Sequence, residues 1–168
     1  MELTKKDRLM LINQYELLKL LDDGNEKHYT ELIEILTNGY EIFYSDFDEW
    51  LSDDMPQFEG LFVLDILSIY RSIETYKRKN PNDDELANHN WGCFQGFDGN
   101  YESTYRAFTL FLIDIQGKFE EQNVYKDRTD SFNSHSATLD KYRSMVEQWN
   151  RMDKDLSTRE NILSVLKA

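Results

Sequence analysis

Apolar residues fall at 101, 105, 108, 112, 115 and 119 within the stretch from Phe94 to Phe119, FQGFDGNYESTYRAFTLFLIDIQGKF. That spacing of four and three keeps to one face of a helix for about five turns. Ala107 and Phe111 widen the stripe, while Leu110 and Ile113 fall on other sides, so the spacing predicts a largely buried helix over 101–122. Alternating segments that would build a sheet do not appear. The pattern therefore predicts an all-α fold: a single compact domain of about seven helices around that buried helix, spanning 1–168.

Around it the chain reads as a series of helices. Thr4-Lys5-Lys6-Asp7 has the form of a capping box. Leu9, Met10, Leu11, Ile12, Tyr15, Leu17, Leu18, Leu20 and Leu21 then occupy nearly every side of a first helix, with Gly24 as its stop. Asn25 is placed to cap a second helix with Tyr29, Leu32, Ile33 and Leu36 on one face, ended by Asn38-Gly39. Residues 41–44 read as a short extended piece and 46–51 as a brief helix. Pro56 opens a long helix carrying Phe58, Leu61, Phe62, Ile66, Ile69, Tyr70 and Ile73. Its last turn holds Lys77-Arg78-Lys79, a run that the negative end of the helix dipole explains without a nucleic acid. Residues 80–84 form a polar break, 85–91 one or two turns, and 123–136 an irregular stretch. Leu139, Tyr142, Val146 and Trp149 mark a further helix, and Ser157-Thr158-Arg159-Glu160 a capping box for the last one.

Charge changes the picture of partners more than of fold. Thirty-two acidic residues against nineteen basic give a formal charge of −13. Such a field repels phosphate backbones and anionic membrane surfaces, which argues against nucleic acid and membrane as partners. One cysteine, Cys93, permits no intrachain disulfide and no thiolate cluster. With an N-terminal apolar run too short for a signal segment or a membrane span, this points to the cytoplasm.

Candidate chemistry is sparse. Asp98-Gly99-Asn100 suits either an anion-binding turn or a plain N-cap by Asp98 or Asn100, and Asp98 would repel the anion. Asp65 and Asp114 sit in apolar helical runs, where a carboxylate either meets a cation or falls on the polar edge of its stripe. Histidines 28, 89 and 135 are far apart and form no metal-binding pair, and Glu31-x-x-Glu34 is half of an acidic motif at most, so no metal and no cofactor are assigned. Cys93 reads as a small hydrophobe. Arg128 and His135 stand at an interval that resembles the R-x4–6-H signature of helical, dimeric HEPN-type ribonucleases. Histidine would move the proton there and arginine would hold the phosphate charge.

A broader resemblance covers essentially the whole chain. Met1-Glu2-Leu3-Thr4, Arg8-Leu9, Asn13-Gln14-Tyr15, Leu21-Asp22, Gly39-Tyr40, Asp65-Ile66-Leu67 and Tyr70-Arg71 match the YfbU-like bacterial proteins. Phe94-Gln95-Gly96-Phe97-Asp98-Gly99-Asn100 with Glu102 is the most specific piece. Gly117, Phe119, Phe132-Asn133-Ser134, Lys141-Tyr142, Trp149 and Leu156-Ser157 complete it. The resemblance implies an all-helical cytoplasmic protein and assigns no catalytic or binding residue.

The expected function is a non-enzymatic, self-associating protein-interaction or regulatory module; the alternative is a ribonuclease using Arg128 and His135. A first helix apolar on nearly every side predicts a homodimer or higher even-numbered assembly in which that helix contributes to the contact.

Overall fold

Thr4 starts the first helix as the sequence predicts. Its side chain accepts the N–H of Asp7, and the Asp7 carboxylate accepts the N–H of Thr4, so a full capping box opens α1 (Lys5–Leu21). The computed structural model describes residues 2–126 and 130–168. Its contacts separate into two units, Met1–Asp54 and Met55–Ala168.

In the first unit α1 packs on α2 (Glu26–Asn38). Between them Gly24 is not the stop: Asp22 is the C-cap, its N–H bonded to the carbonyl of Leu18. The Asp22 carboxylate then accepts from Asn25 and Tyr29, which draws Asn25 away from capping α2. Gly39 ends α2 at φ 72, a conformation open to glycine at little steric cost. Arg8 donates to the carbonyl of Leu36 at 3.0 Å and so joins the start of α1 to the end of α2. Residues 41–47 form a 3-10 helix, Glu41–Phe47, in place of the expected extended piece and later brief helix.

The second unit is arranged around α3 (Gln57–Lys79), not around the stretch 101–122. Val63, Ile66, Leu67, Ile69, Tyr70 and Ile73 are all at most 1% exposed, a complete stripe that meets the later helices on several sides. After it come α4 (Asp84–Ala87), α5 (Ser103–Leu110), the one-turn α6 (Asn123–Lys126), α7 (Leu139–Arg151) and α8 (Arg159–Lys167). Thr158, rather than Ser157, caps α8 by accepting the N–H of Asn161.

The expected helix over 101–122 is broken at both ends. Tyr101 and Glu102 lie in the turn before α5, and α5 passes at Phe111–Ile115 into a π turn closed by the N–H of Gln116 on the carbonyl of Phe111. Gly117, at φ 63, ends the run. A π turn holds one residue more than an α turn and shifts the phase of everything after it. Ile113 is therefore buried and Ile115 is 76% exposed, the reverse of the stripe read from the sequence.

The fold class is all-α: no strand occurs among the described residues, only one isolated parallel bridge between Phe97 and Asn133. Beneath that bridge lies an aromatic cluster. Phe94 meets Tyr70 at 5.4 Å and Phe132 at 5.5 Å between ring centroids, and Phe97 meets Tyr142 at 5.4 Å edge-on. Such pairs contribute about 1 kcal/mol each beyond their buried area.

Candidate functional site

Two places concentrate unusual structure, one in each unit. The first is a groove in Met1–Asp54. On α1 the positions 7, 10, 11, 14 and 18 fall on one side at helical spacing, which sets Met10, Leu11, Gln14 and Leu18 along one wall. Leu32 and Ile35 of α2 supply the floor, and Phe43, Phe47, Trp50 and Leu51 the facing wall. Together they enclose about 980 Å³. Ring contacts stiffen it: Tyr15 stacks on Tyr29 at 6.2 Å and meets Phe47 at 6.1 Å, and burial raises the pKa of the Tyr15 hydroxyl. Asp7, Glu31, Asp46 and Asp48 stand among the lining residues, with His28 but with no lysine or arginine. Hydrogen bonds from the hydroxyl and N–H of Thr4 hold the Asp7 carboxyl below its ordinary value.

The second is a buried polar node in the other unit. Glu102 is 4% exposed, and its carboxylate accepts the N–H groups of Thr138 (2.8 Å) and Leu139 (3.0 Å) on one oxygen. The other oxygen accepts the N–H of Asp98 at 2.9 Å, and the single hydroxyl proton of Thr138 is shared between this oxygen at 2.9 Å and the Gly96 carbonyl at 3.0 Å. These donors include the first unpaired N–H groups of α7, so Glu102 caps a helix distant in sequence with a charge of the favourable sign. Asn133 closes the other side by accepting the N–H groups of Gly99 and His135. Tyr142 accepts from the Gln95 N–H and donates to the Gly96 carbonyl. Gly96 makes the approach possible, since a Cβ there would lie 2.1 Å from the carbonyl oxygen of Phe132. Facing it, Asp130, Ser131 and Phe132 all have positive φ, and Arg106 holds the segment by donating to the carbonyls of Asp130 and Ser131.

The structure distributes the residues singled out by sequence rather than gathering them. Asp98 is buried, but it does not cap α5: it accepts the N–H of Asn100 at 2.7 Å and so closes a local turn, and Asn100 itself is exposed. Asp65 meets Lys154 at 3.1 Å, whose ammonium also lies 4.6 Å from the Trp149 ring centre. Asp114 is on the exposed side of the π turn. His135 is exposed, with its imidazole 3.9 Å from Asp130, and Arg128 lies outside the described residues. Cys93 is half-buried, with its sulfur accepting from Gln95. His89 accepts the Trp91 N–H on Nδ1, and burial, then Lys141 and Lys167, lower its pKa. Among the described residues no three His, Cys, Asp or Glu side chains form a group able to hold a metal ion. No described helix is long and apolar enough to cross a membrane.

Sequence reading missed the work of Glu102, Asn133 and Thr138. The available signal was the density of glycines and polar residues in Phe94-Gln95-Gly96-Phe97-Asp98-Gly99-Asn100, which marks a tight backbone without naming what it packs on.

The described residues define an all-helical protein. The YfbU domain model matches residues 1–168, and the chain belongs to the YfbU family. It is 51% identical over 170 residues to a UPF0304 protein of Methanocaldococcus jannaschii, covering 99% of both chains. It is 30% identical over 149 residues to a UPF0304 protein of Histophilus somni, covering 89% of this chain and 88% of the relative.

Proposed function

We propose that this protein is a self-associating interaction module that acts by binding rather than by catalysis, with α1 contributing to the contact between copies. One observation carries the reading: none of the 17 residues of α1 is buried, although the helix is rich in leucine. Leu9, Leu17, Leu20 and Leu21 are between 59% and 83% exposed. Covering a leucine contributes about 2 kcal/mol, and a second copy related by two-fold symmetry is the commonest cover for such a helix. The single cysteine in the sequence supports a reducing, cytoplasmic setting for the module.

Light scattering and sedimentation across a concentration series test this. The expected result is a dimer or larger even-numbered assembly that Leu20→Asp shifts to monomer with helicity unchanged. A wild-type monomer at every concentration overturns the reading.

A further inference from the structure

We infer that the groove of the first unit receives a cationic amphipathic helix from a partner protein. The inference rests on the interaction-module reading and gives the partner its chemistry. The wall formed by α1 runs from Asp7 to Leu18, which at the rise of a helix is about 17 Å, or three turns of a docked helix. Its occupant must be apolar on one side, because Met10, Leu11, Leu18, Phe43 and Trp50 offer little for a polar group to bond. Trp50 is 78% exposed and Leu51 57%, so the walls stand open as in a groove and do not close over a small molecule. An apolar face laid into such a groove is a standard way to recognise a helix.

The sign of the partner follows from the rim. Asp7, Glu31 and Asp46 carry negative charge, no lysine or arginine lines the groove, and the chain as a whole has a net charge of −13. Lysines or arginines flanking the apolar face of the incoming helix would meet carboxylates, whereas an acidic helix would be repelled. The same charge disfavours a second copy of this acidic chain as the occupant. On α1 the groove uses the side bearing Met10, Gln14 and Leu18. Leu9 and Leu20 project from the opposite side, so copies can associate while the groove stays open.

The test uses the whole 168-residue chain and two synthetic amphipathic helices of about 15 residues, long enough to span the groove with a turn to spare. One is built from leucine and lysine, the other from leucine and glutamate. Fluorescence anisotropy should show saturable binding of the leucine–lysine peptide and none of its acidic counterpart, with a blue shift of tryptophan emission that Trp50→Phe removes. The double variant Glu31→Lys, Asp46→Lys should weaken binding at least about tenfold, as should high salt. Both positions are exposed, so melting should not change. Equal binding of both peptides, or of neither, overturns the inference. So does conversion of an oligomer to monomer by Met10→Asp, which would make a second copy the occupant and leave self-association standing. Peptide binding to a protein that stays monomeric would remove self-association and leave the groove assignment intact.

Discussion

The carboxylate of Glu102 accepts the backbone N–H of Leu139, 37 residues further along the chain, at 3.0 Å. It thereby fixes the start of α7 to the turn that precedes α5. Replacing Glu102 by glutamine keeps the shape and turns an NH2 group toward donors that now lack an acceptor. Hydrogen bonds to a charged group contribute roughly 1.5–3 kcal/mol each, and an orphaned buried donor costs about 1–3. Glu102→Gln should therefore lower stability by about 3 kcal/mol in urea unfolding. A loss below about 0.5 kcal/mol would show that the node does not hold the helix.

Gly96→Ala should be at least as damaging. The added Cβ meets the Phe132 backbone at 2.1 Å, and the residue has φ 81, where any side chain is strained. Neither backbone can move without breaking the bridge from the Phe97 N–H to the Phe132 carbonyl. A loss of roughly 3 kcal/mol or more is expected, read as a fall in melting temperature or in soluble yield.

Tyr142→Phe isolates one part of the same node. The Gly96 carbonyl loses the Tyr142 proton and keeps only the Thr138 hydroxyl, 3.0 Å away and shared with Glu102, while the Gln95 N–H loses its acceptor. The aromatic packing is unchanged, so the expected cost is only about 1–2 kcal/mol. Circular dichroism should show an intact fold that melts earlier.

Acid should act through Arg159. Its guanidinium bonds Asp83 at 2.7 Å and Glu85 at 2.6 Å, and these bonds hold both carboxyls below their ordinary values. A carboxyl with a lower pKa folded than unfolded stabilises the fold above its unfolded value, and that contribution is lost as pH falls through the folded one. Arg159→Ala should thus lower the melting temperature near neutral pH, and the gap from wild type should close between about pH 5 and pH 3. A gap that stays constant with pH would assign the loss to packing instead.

What could be read from sequence follows the range of the interaction. Gly39 ends α2 and Pro56 precedes α3 for reasons contained within a few residues, and both were legible. The long stripe of α3 was legible as a helix, but not as the centre of its unit, since that depends on what packs around it. Glu102 stood out beside the Phe94–Asn100 motif, but its role did not, because its partners Thr138 and Leu139 arrive from far along the chain. The groove was hidden for the same reason: Met10, Ile35 and Trp50 meet only after α1, α2 and the 3-10 helix have packed.

The π turn at Phe111–Ile115 is also a statement about length. A helix with one residue too many has absorbed an insertion without lengthening its axis by a full step. Deleting a single residue from 111–115 should return the turn to α geometry and leave all that follows at its present angle about the axis. Elsewhere in this helix, where no surplus residue exists, the same deletion would pull Tyr105 and Phe108 out of register with α3. Tolerance to shortening should therefore be confined to the π turn, so that its length can vary among related chains while the rest of α5 cannot.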